Sequence, residues 1–143
     1  MEKFSSLYLK MCEKAKNIFL HPINIEDWFH HPIINDEEVM VRQVEKILGS
    51  DVFTSDPIEH YPSHECIWLP TVKEIKKMAE AINVYEDMLE EFLNDDKGYW
   101  GYPIGMKPRN IFKTLEEQWL AYYMAEISQI WSEEKQDWIK TKG

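Results

Sequence analysis

Histidine and cysteine are the residues of this chain with the clearest potential for site chemistry. His60, His64 and Cys66 form an H-x3-H-x-C pattern, which brings two imidazole nitrogens close to one thiol. Zinc is usually held by four nitrogen or sulfur ligands of this kind, so the pattern predicts a zinc-binding domain as one alternative. The residues elsewhere that offer a fourth ligand are His30, His31 and Cys12. Zinc signatures normally have closely spaced ligand pairs at both ends, and the second pair is missing here. Surface histidines in a polar loop beside a buried cysteine are therefore the simpler explanation of the pattern.

The sequence offers few patterns for catalysis. It contains no glycine-rich phosphate loop, no G-x-S-x-G nucleophile turn and no H-E-x-x-H motif. The adjacent acids Glu90-Glu91 and Glu116-Glu117 lie in predicted helices, where neighbouring side chains point in different directions and cannot form an acid–base pair. The thiol of Cys66 precedes an apolar run that predicts burial, and buried thiols without a positive neighbour are unreactive. We therefore expect a protein that is not an enzyme and that needs no cofactor.

The segment 97–113 (KGYWGYPIGMKPRNIFK) is the strongest candidate for a contact surface. It holds three glycines, two prolines and no acid. Loops of this length inside a compact domain are uncommon and tend to be functional or disordered, and the aromatic residues argue against disorder. Tyrosine, tryptophan and arginine are the residues that most often anchor protein interfaces. The predicted partner-binding residues are Tyr99, Trp100, Tyr102, Lys107 and Arg109.

An acidic run precedes this loop. The predicted helix 72–93 carries three lysines in its first two turns, and from Glu80 to Asp96 every charged residue is an acid. A helix dipole prefers the reverse arrangement by about 0.3–1 kcal/mol per well-placed charge. Either the bases of the loop fold back over the acidic end, or the loop faces a partner and the acids form a surface of their own. The residues of this predicted acidic surface are Glu86, Asp87, Glu90, Glu91, Asp95 and Asp96.

The elements that position these residues predict an α+β fold that is mostly helical, with three or four helices packed on a small antiparallel strand region. We predict a single domain over 1–143, with helix 6–19, a strand or irregular region 26–69, helix 72–93, loop 97–113 and helix 115–128. Thr71-x-x-Glu74 and Thr114-x-x-Glu117 are capping boxes that predict the starts of two helices. The last residues should turn back and pack one or both of the indoles of Trp131 and Trp138.

The segment 35–48 fits two structures. Asn35 with Glu38 resembles a capping box, and the spacing of apolar residues up to Leu48 is helical. The β-branched residues Val39, Val41 and Val44 fit a strand equally well. We favour a helix here.

Composition excludes several classes of function. The 143 residues include 44% hydrophobic ones, which is enough for a buried core. No apolar run approaches the roughly 20 residues that cross a bilayer, and the first residues lack the pattern of a signal peptide. We therefore expect no membrane association, and reduced cysteines in a cytosol. The net charge of −10 makes nucleic acid an unlikely partner, although the aromatic and basic loop has residue types that stack on bases.

Several stretches together resemble a group of small uncharacterised proteins of Gram-positive bacteriophages and prophages. The stretches that carry the resemblance, in chain order, are YLKMCEKA (8–15), EDWF (26–29), IWLPT (67–71), LEEQWLAYYM (115–124) and the closing Trp131 and Trp138. They comprise 29 of the 143 residues and are spread from position 8 to position 138. The resemblance implies a phage or prophage setting and an α+β fold with a small strand region between helices. It implies no activity and no catalytic residues, and segments 35–65 and 97–113 depart from the pattern.

The leading hypothesis is therefore a non-catalytic protein-interaction module, phage-encoded and acting on a host or phage protein in the host cytosol. One specific form is an acidic inhibitor that occupies a nucleic-acid-binding groove. The alternatives are the zinc-binding domain described above and a virion or assembly protein. The oligomeric state is open, with a homo-oligomer as one option.

Overall fold

The computed structural model describes residues 4–16, 18, 27–31, 35–47, 50–55 and 59–141. It forms two compact units, Met1–Pro70 and Thr71–Gly143. The described residues contain five α-helices and eight strands, and all strand pairs are antiparallel. The predicted α+β class with small antiparallel sheets is thus confirmed, but the strands are too many for a mostly helical chain. The single domain over 1–143 stays a prediction.

The first unit begins with helix α1 (Ser6–Ala15). The helix starts as predicted because the hydroxyl of Ser5 accepts a hydrogen bond of 3.1 Å from the backbone N–H of Tyr8. It ends at Ala15, earlier than the predicted residue 19, which lies outside the described residues. Its buried face consists of Tyr8, Met11, Cys12 and Ala15.

Two three-stranded sheets complete the first unit. One has the order β2 (Asn35–Met40), β1 (Trp28–His31), β6 (Ile67–Leu69), and the other has the order β3 (Gln43–Ile47), β4 (Ser50–Thr54), β5 (His60–Pro62). The helix favoured for 35–48 is therefore wrong, since 35–40 and 43–47 are strands. The cause is the pairing of β2 with β1 and of β3 with β4, which a helical spacing of apolar residues does not reveal.

The core of the first unit is aromatic. Phe29 packs edge-on against Tyr61, with ring centroids 4.9 Å apart, and also contacts Phe53 at 5.7 Å. Val41 and Cys66 complete this buried cluster. The predicted burial of Cys66 is thus confirmed.

The second unit begins with helix α2 (Val72–Ala81), which is followed by a 3-10 turn over Glu86–Met88 and a short helix α3 (Leu89–Leu93). Both hydrogen bonds of the Thr71–Glu74 capping box are present, so the predicted start is confirmed. The single helix predicted over 72–93 is wrong. The chain leaves the helix at Asn83, which has a left-handed backbone with φ of 62°.

The break after α2 is a hydrogen-bonded helix end. The N–H of Asn83 donates to Glu80 O and the N–H of Val84 donates to Ala79 O, at 3.0 and 2.9 Å. This is the Schellman pattern, in which Asn is one of the few residues that tolerates the left-handed position. Val84 is buried as the apolar residue that follows the turn.

This break reduces the unfavourable charge pattern predicted for a continuous helix, because it places the acids from Glu86 onward in separate segments. Glu86 and Asp87 lie in the first turn of the 3-10 segment, and Glu90 and Glu91 lie in the first turn of α3. Acids at the start of a helical segment interact favourably with its dipole. Of the run from Glu80 to Asp96, only Glu80 shares a helix with the three lysines.

The second unit continues through a long loop that contains a helical turn, α4 (Pro108–Ile111), to helix α5 (Leu115–Glu126). Helix α5 starts as predicted and ends two residues earlier than the predicted 128, because Ser128 has a left-handed backbone with φ of 66°. A hairpin of β7 (Gln129–Ser132) and β8 (Asp137–Lys140) follows. Trp131 and Trp138 are paired across this hairpin with centroids 5.2 Å apart, which confirms that the tail packs its indoles.

Candidate protein-interaction surface

The backbone of loop 97–113 is held by the acid that precedes it. Oδ1 of Asp95 accepts a hydrogen bond from Lys97 N and Oδ2 accepts one from Trp100 N, both of 3.1 Å. The N–H of Gly105 donates to the carbonyl of Asp96 at 2.7 Å. Asp95 is only 6% exposed, so its place in the predicted acidic surface is wrong: the carboxylate points into the loop and satisfies backbone donors there.

The C-terminal end of the loop is fixed by burial and by a second carboxylate. Pro108 occupies the first turn of α4, a position that needs no N–H, and Ile111 and Phe112 are buried. A carboxylate oxygen of Glu117 accepts a hydrogen bond of 2.8 Å from Lys113 N. The loop is therefore anchored at both ends and is not a plain 17-residue connection.

Tyr102 is a core residue. Its side chain is 2% exposed, and its ring packs edge-on against Phe92 and Phe112. Its hydroxyl accepts a hydrogen bond of 3.2 Å from Trp131 N, and burial raises the pKa of the phenol. The prediction that Tyr102 contacts a partner is therefore wrong, because this ring contributes to the core of the second unit.

Trp100 is half-buried and held in a fixed orientation. Its indole Nε1–H donates to Oε1 of Glu126 at 2.9 Å. Its ring meets Phe92 edge-on, at 5.8 Å between centroids and 85° between planes. Trp100 is thus partly available at the surface, with one edge engaged by the protein itself.

Arg109 pairs with the acidic segment. Its guanidinium forms an ion pair with Glu90 and its Nε–H donates to Oδ1 of Asn94 at 3.2 Å. The fold-back interpretation of the sequence thus holds for this residue. Lys107 is half-buried.

Three apolar side chains of the loop face outward, beside the exposed polar residues Lys97, Asn110 and Lys113. Tyr99 is 79% exposed, Ile104 is 85% exposed and Met106 is 41% exposed. We call these three residues the loop-tip surface. Tyr99 was predicted from the sequence, whereas Ile104 and Met106 were missed because an exposed aliphatic residue looks like a core residue in a sequence.

Two tight turns display the loop-tip surface. The N–H of Gly101 donates to Gly98 O at 3.1 Å, which places Tyr99 at the corner of the first turn. The N–H of Met106 donates to Pro103 O at 3.0 Å, which places Ile104 at the corner of the second. Gly105 has φ of 88°, as the third residue of a type II turn requires, so P-I-G-M is the sequence signal that marks Ile104 as a turn residue.

The other residues of the predicted acidic surface, without the buried Asp95, are exposed. Glu86 lies 3.6 Å from Nζ of Lys76, and Glu90 is paired with Arg109. Burial, with the nearby carboxylates of the acidic segment and Glu126, raises the pKa of Tyr122 to about 12. The exposed members are Glu86, Asp87, Glu90, Glu91 and Asp96.

The three residues of the zinc alternative differ in exposure. The side chain of His64 is 73% exposed beside Glu65, and His60 is exposed on β5. Cys66 is buried and its thiol donates to Pro62 O at 3.4 Å. Burial raises the pKa of this thiol to about 12. Within the part of the chain that the structure describes, no three His, Cys, Asp or Glu residues lie together in a way that would hold a metal ion.

No protein-family model, curated protein or solved structure matches this chain. None of the helices in the described part of the chain is both long enough and apolar enough to cross a bilayer.

Proposed function

We propose that this protein is a non-catalytic interaction module that binds another protein through the loop-tip surface. The observation that carries the proposal is the exposure of Tyr99, Ile104 and Met106 on a loop whose backbone is held by Asp95. Burying one side chain such as that of Ile104 or Met106 contributes about 1.5–3 kcal/mol to the free energy of binding. A rigid loop also avoids much of the ordering cost of binding. The partner is therefore a protein with an apolar groove.

The biological setting is part of the same proposal. The resemblance to phage and prophage proteins supports a phage-encoded protein that acts on a host or phage protein in the host cytosol. The acidic-inhibitor form draws on exposed acids, but two of them, Glu86 and Glu90, are already paired with Lys76 and Arg109. We therefore assign the main contact to the loop-tip surface and an accessory role to the acids.

A capture experiment tests this function. The chain is immobilised, exposed to a Gram-positive host lysate, and the retained proteins are compared with those retained by a Tyr99→Ser, Ile104→Ser double variant. The matched control is Tyr85→Ser, Leu115→Ser, because Tyr85 and Leu115 are 51% and 54% exposed and lie outside the loop. We expect the control to retain the partner and the loop variant to lose it. Retention by both variants would contradict the proposal, as would the absence of any specifically captured protein.

A further inference from the structure

A pocket of about 350 Å³ lies beside the first turn of the loop. It belongs wholly to the second unit and is open to solvent. One wall is the turn that carries Tyr99 and Trp100, and the other is the C-terminal end of α5 with Glu126. The lining residues are Gly98, Tyr99, Trp100, Gly101, Ala125, Glu126, Ser128 and Thr141.

The shape of this pocket depends on a close approach of the Gly101 backbone to the side chain of Thr141. Gly101 has φ of 106°, and a Cβ atom at this position would lie 2.5 Å from Cγ2 of Thr141. A side chain at 101 would therefore push the turn away from Thr141. Glycine at this position lets the loop close the pocket against the strand end.

The lining of this pocket includes two aromatic residues and one carboxylate, which are residue types that interact with cations. Aromatic faces attract cations through their quadrupole, tryptophan most strongly, and the pocket has Trp100 and Tyr99 on one side. A carboxylate lies at the edge of the indole, where Oε1 of Glu126 accepts the Trp100 hydrogen bond. Among the described residues, Oε2 of Glu126 has no hydrogen-bond or ion-pair partner, so it is available to a ligand.

The position of Glu126 adds to this preference. It is the last residue of the twelve-residue helix α5, whose last turn contains no base. The C-terminal end of a helix carries partial negative charge and is stabilised by a cation within the last turn. An acid there leaves the helix end without a neutralising charge, which a bound cation would supply.

We propose that this pocket binds the ammonium or guanidinium group of a lysine or arginine side chain contributed by the partner protein. The inference rests on the proposed binding function, and it extends that function by naming the chemistry of one partner residue. Tyr99 belongs both to the pocket and to the loop-tip surface. On the partner, the basic residue therefore lies next to the apolar residues that contact Ile104.

Titration with model side chains tests the pocket without any partner. The full chain, labelled with ¹⁵N, is titrated with N-acetyl-lysine methylamide and N-acetyl-arginine methylamide, while the indole N–H signal of Trp100 is followed by NMR. N-acetyl-norleucine methylamide is the neutral control of similar shape. We expect a saturable shift with one or both cations and none with the neutral compound. Equal shifts with all three compounds, or no shift with any, would overturn the proposal.

A matched pair of variants locates the charge. Glu126→Gln keeps an oxygen that accepts the Trp100 hydrogen bond but loses the negative charge, and we expect the affinity for the cation to fall about fivefold. Glu133→Gln removes an exposed acid of the same unit from outside the pocket and should leave the affinity unchanged. Equal affinities for the two variants would show that the cation binds through the overall negative charge of the chain, and this result would overturn the proposal of a binding pocket. Because no partner is present in this assay, its failure is separate from a failure of the capture experiment.

Discussion

Replacement of Asp95 by alanine tests whether a buried carboxylate orders the loop that carries the proposed function. The side chain accepts hydrogen bonds from Lys97 N and Trp100 N, and alanine removes both acceptors. A hydrogen bond to a charged group contributes about 1.5–3 kcal/mol. Water can reach the partly buried N–H groups in the variant and replace some of this energy. We therefore expect the free energy of unfolding to fall by about 2–3 kcal/mol, less than the sum of two such bonds.

Urea unfolding followed by circular dichroism measures this loss. With a denaturant slope of about 1.5 kcal/mol/M, the expected change lowers the midpoint by about 1.3–2 M. Asp95→Asn keeps one acceptor oxygen and should cost about 1–2 kcal/mol, because its amide group faces a backbone donor. The control is Asp96→Ala, whose side chain is exposed and whose loss should cost less than about 0.5 kcal/mol. Equal midpoints for Asp95→Ala and Asp96→Ala would refute the assignment of loop order to the Asp95 carboxylate.

Three further predictions concern single positions. Gly105→Ala should lower the free energy of unfolding by about 1–2 kcal/mol. The cause would be backbone strain alone, because φ is 88° and no atom lies within 4 Å of the added Cβ to clash with it. A urea midpoint equal to that of the wild type would show that the turn adopts another conformation. Asn83→Gly should be neutral or stabilising and Asn83→Ala should cost about 1 kcal/mol in the same urea assay, whereas the reverse order would argue against a left-handed helix end. Burial raises the pKa of the Cys66 thiol from 9.0 to about 12, so between these pH values the thiol is protonated in the folded chain and ionised in the unfolded chain. The free energy of unfolding should therefore decline as the pH rises above 9. Iodoacetamide should alkylate Cys66 slowly at pH 8 until urea is added. Rapid alkylation of the folded chain would contradict its burial.

The starts of α1, α2 and α5 were decided by the sequence. The hydroxyls of Thr71 and Thr114 accept hydrogen bonds from backbone N–H groups three residues later, so α2 and α5 begin where the capping patterns predicted. Such contacts span three or four residues and are visible in any local window. Asn83 is also a local sequence signal for the end of α2. It was missed because the apolar spacing from 72 to 93 is that of one continuous helix.

Tertiary structure decided which residues of the loop face outward. Tyr99 and Tyr102 have the same side chain and lie three positions apart, yet one is 79% exposed and the other 2% exposed. Tyr102 is buried because it meets Trp131, which is 29 residues away, and Arg109 is paired because Glu90 is 19 residues before it. The strands of 35–47 likewise depend on partners elsewhere in the chain. Burial and pairing are properties of contacts between distant residues, so residue type and spacing identified the loop but not its outer face.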